Sequence, residues 1–140
     1  MSCYLKMNMR LIYKFEQALL DNYDSSITRN RSFIELAKRQ TTIYAKFSNL
    51  SPGFWGINEN QIDKLKSKNN NWIIVLLLRN LDTDRNPIQG YYLNPQETNK
   101  LINDPNTSRS SSDFKIHEPE LQRHNIKFFG SISQFLDFLG

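Results

Sequence analysis

The sequence has a single cysteine and only two histidines among its 140 residues. One cysteine cannot form a disulfide within the chain, and no Cys or His residues have the spacing of a zinc site. His117 and His124 are expected at the surface. This composition argues against a disulfide-stabilised secreted domain and against a structural zinc domain, and we expect a cytoplasmic protein.

The sequence also lacks a long hydrophobic run. The longest such run, Trp72 to Leu78, is far shorter than the ~20 apolar residues that a membrane-spanning helix needs. The N-terminal segment carries Lys6 and Asn8 where a signal peptide would need an apolar core. We therefore expect neither a membrane span nor a secretory signal.

Glycine and proline number five each, and no phosphate-binding glycine loop, nucleophile elbow or HExxH motif is present. These absences argue against the common nucleotide-binding, serine-hydrolase and zinc-protease signatures. The 39% hydrophobic and 12% aromatic content is enough for one globular domain over residues 1–140. The net charge of +4 is compatible with a nucleic-acid partner without requiring one.

Hydrophobic spacing and capping residues predict an α/β fold with a mixed central sheet of about four or five strands flanked by helices. The apolar run WIIVLLL is typical of a central strand that is covered on both faces. Residues 21–30, 48–57 and 103–113 are predicted to be loops. The predicted strands are 32–37, 42–47, 72–78, 90–93 and the edge strand 114–117; the predicted helices are 4–22, those capped by Asn58, Asn94 and Ser131, and a short one at Pro119.

A lysine, Lys46, lies in the middle of the otherwise apolar strand 42–47. A tight turn centred on Arg39 and Gln40 would place Glu35 opposite Tyr44. Glu35 and Lys46 would then be diagonal neighbours on one face of the hairpin. Lys46 either serves a functional site there, or packs its stem and extends its ammonium to the sheet edge or to Glu35.

Glu16 lies in or beside the apolar stripe of the first helix, which includes Ile12, Phe15 and Leu19. Two interpretations are open. Its carboxylate reaches water at the edge of the stripe, or it is directed into a site.

The order of elements, with Glu35 on the first hairpin strand and Tyr44-Ala45-Lys46 on the second, resembles the PD-(D/E)XK nuclease superfamily, in particular its small members such as Holliday-junction resolvases. The resemblance covers roughly residues 4–93 and implies a restriction-endonuclease-like fold and metal-dependent hydrolysis of DNA. In that family two carboxylates hold a divalent metal and the motif lysine orients or deprotonates the attacking water. It implies that Glu35, Lys46 and Glu16 are catalytic and that Glu35 and Glu16 hold Mg²⁺ or Mn²⁺.

The sequence departs from that pattern at Tyr44, which occupies the position of the second motif acid. A neutral phenol is a poor ligand for a hard cation. We therefore expect weak metal binding and slow or lost hydrolysis. The alternative function is a non-catalytic module that binds nucleic acid or protein on the same fold.

Basic and aromatic side chains predict where a nucleic acid would lie. The basic ones cluster around the first hairpin and on the helix after Asn58. The basic residues are equally compatible with a solvated charged rim. Trp55 and Phe54 could stack on a base or sugar, but packing on the core or on a dimer partner is the favoured interpretation for both. The candidate contact residues are Arg29, Arg31, Lys38, Arg39, Trp55 and Lys64.

Apolar residues beside glycines and at the C-terminus predict self-association. They suggest more apolar surface than a small domain needs, and a homodimer is the commonest symmetric assembly. We therefore expect a homodimer. The residues in question are Phe54, Trp55, Phe135, Leu136, Phe138 and Leu139.

Overall fold

The protein is described by a computed structural model that covers residues 3–24, 26–30, 33–68, 71–78 and 88–140. The helices in these ranges are α1 (Cys3–Asn22), α2 (Glu59–Lys68), α3 (Pro95–Ile102), α4 (Glu118–Arg123) and α5 (Ile132–Leu139), with a short 3-10 helix at Lys38–Gln40. The strands in the same ranges are β1 (Ile27–Asn30), β2 (Phe33–Leu36), β3 (Thr41–Ser48), β4 (Phe54–Asn58), β5 (Trp72–Leu78), β6 (Gln89–Leu93), β7 (Ser108–Ser110), β8 (Asp113–His117) and β9 (Lys127–Phe129).

Two sheets form within the described residues. The larger has six strands in the order β1-β2-β3-β5-β6-β9, and the smaller has three in the order β4-β8-β7. Only the β3–β5 pair is parallel among the paired strands of the described residues. The predicted α/β class with a mixed sheet is confirmed, but the large sheet has more strands than the expected four or five.

The additional strands lie in segments whose local sequence gave no strand signal. β1 has the sequence ITRN and β9 has KFF, both too short or too polar for a clear alternation. β4 occupies part of the predicted loop 48–57, and β7 part of the predicted loop 103–113. The predicted edge strand 114–117 is instead the middle strand of the small sheet. β4 and β9 pair with strands far away in the sequence, which local propensity does not report, whereas β1 and β7 form short hairpins with β2 and β8.

The run WIIVLLL forms β5, between β3 and β6, as predicted for a central strand. Ile74 and Leu76 both have 0% exposure. One face of β5 packs under α1 and α5, and the other packs against α2, α3 and the small sheet. Both faces of this strand are therefore excluded from water.

The hairpin of β2 and β3 has a different register from the expected one. Glu35 pairs with Thr42, and Phe33 pairs with Tyr44. The predicted register is wrong because residues 38–40 form a 3-10 turn, in which Arg39 and Gln40 have φ of 62° and 49°. This turn is centred one residue earlier than expected, so the β3 partner of each β2 residue is shifted by two residues.

Trp55 is a core residue of β4 with 1% exposure. Its Nε1 donates a hydrogen bond to the Leu77 carbonyl at 3.0 Å, which satisfies its polar atom inside the protein. The prediction that Trp55 stacks on a nucleic acid is therefore wrong. Asn58, by contrast, caps α2 as predicted, since its Oδ1 accepts from the backbone N–H groups of Asn60 and Gln61 at 2.9 and 3.3 Å.

The apolar surface on which the homodimer expectation rested is mostly internal. Trp55, Phe135 and Leu139 are buried within the chain. Phe138 packs on Tyr92, with ring centroids 5.8 Å apart. The homodimer stays a prediction without that surface to support it.

Asp24 joins the end of α1 to the β2–β3 turn. Its Oδ1 accepts from the Ser26 backbone N–H at 2.8 Å, and its Oδ2 accepts from the Lys38 backbone N–H at 2.7 Å. These N–H groups, that of Lys38 first, hold the pKa of the Asp24 carboxyl below its ordinary value of 3.8.

We predict that Asp24→Asn lowers the midpoint of urea unfolding at pH 7. We also predict that this midpoint changes less than that of the wild-type protein as the pH is lowered. Because the folded-state pKa of Asp24 is depressed, its ionised form stabilises the fold above pH 3.8, and this contribution is lost as the pH falls through the folded pKa. Urea titrations between pH 2 and 7 would measure the effect. The control is Asp21→Asn, an exposed acid one turn earlier in α1; equal acid sensitivity in both variants would contradict the prediction.

Candidate nucleic-acid interface

A cleft of about 460 Å³ lies beside the second half of β3. Among the described residues, β2 pairs along β3 only as far as Phe33 with Tyr44, so this part of β3 faces the cleft. α1, β1, β4, α2 and β8 complete its walls. The lining residues are Ile12, Arg29, Tyr44, Ala45, Lys46, Phe47, Gly56, Asn58, Gln61 and Asp113.

Lys46 lies on the second hairpin strand and is half-buried in this cleft. No ion pair between described residues includes Lys46. An ammonium that is partly withdrawn from water gains from a counter-ion. The cleft therefore offers a cation to an anionic ligand.

Tyr44 contributes a neutral hydroxyl to the cleft. Burial raises the pKa of its phenol above the ordinary value of 10.0; the charge of Asp113 also raises it, and a backbone hydrogen bond from Asn58 works against them. The phenol thus keeps its proton near neutral pH. Tyr44 cannot replace the carboxylate that the PD-(D/E)XK pattern has at this position.

Asp113 is a cleft residue that the sequence did not identify. It begins β8 and pairs with Asn58 of β4. Its Oδ1 accepts a hydrogen bond from Asn58 Nδ2 at 2.9 Å. The alternation of the segment DFKIH predicts that Asp113 lies on the polar face of a strand, but only the β4–β8 pairing brings it near Lys46.

Glu16 is linked to the cleft by an ion pair with Arg29. The Arg29 guanidinium on β1 lines the cleft and forms an ion pair with the Glu16 carboxylate on α1. Glu16 is therefore a half-buried, ion-paired acid that does not itself line the cleft. Its charge is balanced by a neighbouring cation.

Glu35 lies away from the cleft. Its Oε1 is 2.7 Å from Lys68 Nζ at the end of α2. It pairs with Thr42, four residues before Lys46, which corresponds to ~13 Å along the strand. By strand alternation it lies on the same sheet face as Phe33, Tyr44 and Lys46, so distance along the strands, and not facing, separates Glu35 from Lys46. The structure therefore does not gather Glu16, Glu35 and Lys46 at one point.

The carboxylates in this arrangement do not fit the Mg²⁺ or Mn²⁺ site that the resemblance implies. Mg²⁺ requires several oxygen ligands in near-octahedral geometry. Glu16 and Glu35 are each paired with a different cation on different faces of the large sheet. No group of three or more His, Cys, Asp or Glu side chains that could hold a metal ion occurs within the described residues.

The remaining candidate contact residues are not gathered at the cleft. Lys38 Nζ lies 4.2 Å from the centre of the Tyr23 ring, and Lys64 is exposed on α2. Arg39 lines a different cleft of about 490 Å³ and donates from Nη1 to the Leu139 carbonyl at 3.1 Å. Arg31 lies outside the described residues. Of the predicted basic residues, Arg29 alone lines the same cleft as Lys46 within the described ranges.

Comparisons with known proteins add little to this geometry. No protein-family model matches the sequence, and no curated protein matches it. A solved structure with a similar arrangement is that of Hjc, a Holliday junction resolvase from Archaeoglobus fulgidus, with 15% sequence identity and a TM-score of 0.42 over 84% of this chain and 97% of that chain. None of the helices among the described residues is long and apolar enough to cross a membrane.

Proposed function

We propose that this chain binds nucleic acid through the cleft beside β3 and does not cleave it. The observation that carries the proposal is Lys46, which lines the cleft and forms no ion pair with a carboxylate among the described residues. A phosphate of the nucleic-acid backbone is the common anion that such a lysine binds. The net charge of +4 favours the same partner.

The other polar groups of the cleft are suited to a phosphodiester chain. Gln61 presents an amide and Tyr44 presents a hydroxyl, both of which can donate hydrogen bonds to phosphate oxygens or to sugars, whereas the Asn58 amide already donates to Ser112 and Asp113. Arg29 adds a guanidinium at the rim, with 46% of its side chain exposed, although Glu16 balances its charge. These neutral and cationic donors favour an anion over a metal ion.

The absence of hydrolysis in the proposal follows from the positions of the acids. A metal-dependent cleavage needs carboxylates that hold the ion next to the scissile phosphate. Here Tyr44 replaces one acid, Glu35 pairs with Lys68, and Glu16 pairs with Arg29. Asp113 is the one carboxylate that lines the cleft among the described residues.

Lys46→Ala is expected to weaken the binding of a labelled DNA oligonucleotide by about tenfold and to reduce the dependence of the binding constant on salt by about one charge, since one phosphate contact is lost. Fluorescence anisotropy at several salt concentrations would measure both quantities. The matched control is Lys100→Ala, an exposed lysine on α3 that does not line the cleft. Equal affinities and equal salt dependence in both variants would overturn the proposal.

The same oligonucleotides incubated with Mg²⁺ or Mn²⁺ test the loss of hydrolysis. We expect them to stay intact. Metal-dependent cleavage that disappears in Lys46→Ala and in Glu35→Ala would instead establish the nuclease that the resemblance implies, with Glu35 moving toward the cleft.

A further inference from the structure

The cleft opens onto the outer face of the small sheet. Residues alternate along β4 and β8, so that Trp55, Ile57, Phe114 and Ile116 are buried. The residues between them belong to the opposite face. Two of its strand positions, Gly56 and Asn58 of β4, also line the cleft, as does Asp113 of β8. The cleft and this outer face are therefore one continuous surface.

An aromatic pair occupies the far end of this surface. Phe54 on β4 and His117 on β8 are direct partners in the sheet. Their ring centroids are 4.8 Å apart with an angle of 48° between the planes. His117 is exposed and Phe54 is half-buried, so the pair presents ring surface to solvent.

Next to the aromatic pair along the two strands, a cation pairs with a small residue at the edge of the cleft. Gly56 pairs with Lys115, which is exposed and takes part in no ion pair between described residues. The nearest atom to a Cβ built on Gly56 would be Asp113 Oδ2, at 3.9 Å. The surface is therefore open at Gly56 and carries a positive charge beside it.

Three groups follow one another along the surface. The aromatic pair of Phe54 and His117 comes first, the cation Lys115 is next, and the cleft with Lys46 is last. From His117 to Asp113 the distance along β8 is ~13 Å. Lys46 and Lys115 provide two positive charges against the single charge of Asp113, which already accepts a hydrogen bond from Asn58. This balance complements a negatively charged chain.

Given the proposed nucleic-acid binding, on which this step rests, we propose that the ligand is single-stranded. Lys46 and Lys115 contact its phosphates, and an unpaired base stacks on Phe54 and His117. Exposed aromatic rings beside cations bind single strands because the faces of unpaired bases are accessible. A duplex hides those faces and presents only base edges in its grooves.

Phe54→Leu tests the stacking step, because leucine keeps apolar packing and removes the ring. We expect a loss of fivefold to tenfold in affinity for a labelled oligo-dT strand, which is ~1 kcal/mol and within the range known for stacking of one base. An oligonucleotide of the same length without bases should bind wild type and Phe54→Leu equally. The wild-type protein should also prefer oligo-dT to a duplex.

The control is Phe128→Leu, which removes a phenylalanine that is 45% exposed on β9, outside this surface. His117→Gln is a second variant that removes the other ring, so the conclusion does not depend on how well Phe54→Leu folds. Binding that requires Lys46 but is insensitive to both ring variants, or that favours the duplex, overturns the single-strand inference and leaves the proposed function intact. Absence of binding by any DNA overturns both.

Discussion

Gly90→Ala should destabilise the protein by about 3 kcal/mol or more, because the added methyl group would collide with the central strand. A Cβ built on Gly90 lies 2.3 Å from the Leu76 carbonyl oxygen and 3.0 Å from Leu77 Cα. These are backbone atoms of β5, which cannot move without disturbing its pairing with both β3 and β6. The reduced entropy of the unfolded alanine chain offsets only ~0.4–1 kcal/mol of this cost.

Urea denaturation followed by circular dichroism would measure the change in the free energy of unfolding. Gly56→Ala is the matched control, since its new methyl group would meet no atom closer than 3.9 Å. It should change stability by no more than about 1 kcal/mol, in the direction of a small gain, because alanine reduces the entropy of the unfolded chain. A midpoint for Gly90→Ala that equals that of Gly56→Ala would show that β5 and β6 do not approach each other as described.

Trp55→Ala should cost about 3–5 kcal/mol, the usual loss when a fully buried aromatic side chain is removed. Trp55 links the two sheets, since it belongs to β4 and donates from Nε1 to the Leu77 carbonyl of β5. Its ring also packs edge-to-face on Tyr91, with centroids 6.1 Å apart. Removing it leaves a cavity between the sheets and an unsatisfied carbonyl.

Trp55→Phe separates these contributions, because phenylalanine keeps most of the apolar contact and loses the hydrogen-bond donor. Its cost should be about 1–3 kcal/mol, in the range for leaving a buried acceptor without a partner. Urea titration of both variants gives the comparison. If Trp55→Ala instead unfolded at the wild-type midpoint and lost only DNA binding, Trp55 would lie at the surface and serve as a base-stacking residue.

The parts of the fold that the sequence predicted are those specified by neighbouring residues. The cap of α3 is an example: Asn94 Oδ1 accepts from the Glu97 N–H at 2.7 Å, and Glu97 Oε1 accepts from the Asn94 N–H at 3.0 Å. A capping box of this kind is a signal contained in four consecutive residues. The signal for the central position of β5 was equally local, because an uninterrupted apolar run of seven residues is typical of a strand with both faces covered.

The parts that were missed depend on contacts between distant residues or on the conformation of a turn. Asp113 lies in the cleft because β8 pairs with β4, more than 50 residues earlier in the chain. Glu35 is displaced from Lys46 because the conformation of Arg39 and Gln40 in the turn shifts the hairpin by two residues. Side-chain pairing in a hairpin follows the turn, and the turn type was not evident from the residues.

The link that Trp55 forms between the sheets has a thermodynamic consequence for the cleft. Lys46 belongs to the large sheet, whereas Asn58 and Asp113 belong to the small one. A ligand that touches both walls binds only while the two sheets remain together, so its binding free energy adds to the free energy of unfolding in proportion to ln(1 + [L]/Kd). Ligand binding in the cleft and association of the two sheets are therefore thermodynamically coupled. The unfolding temperature of the protein should be highest when the cleft is occupied.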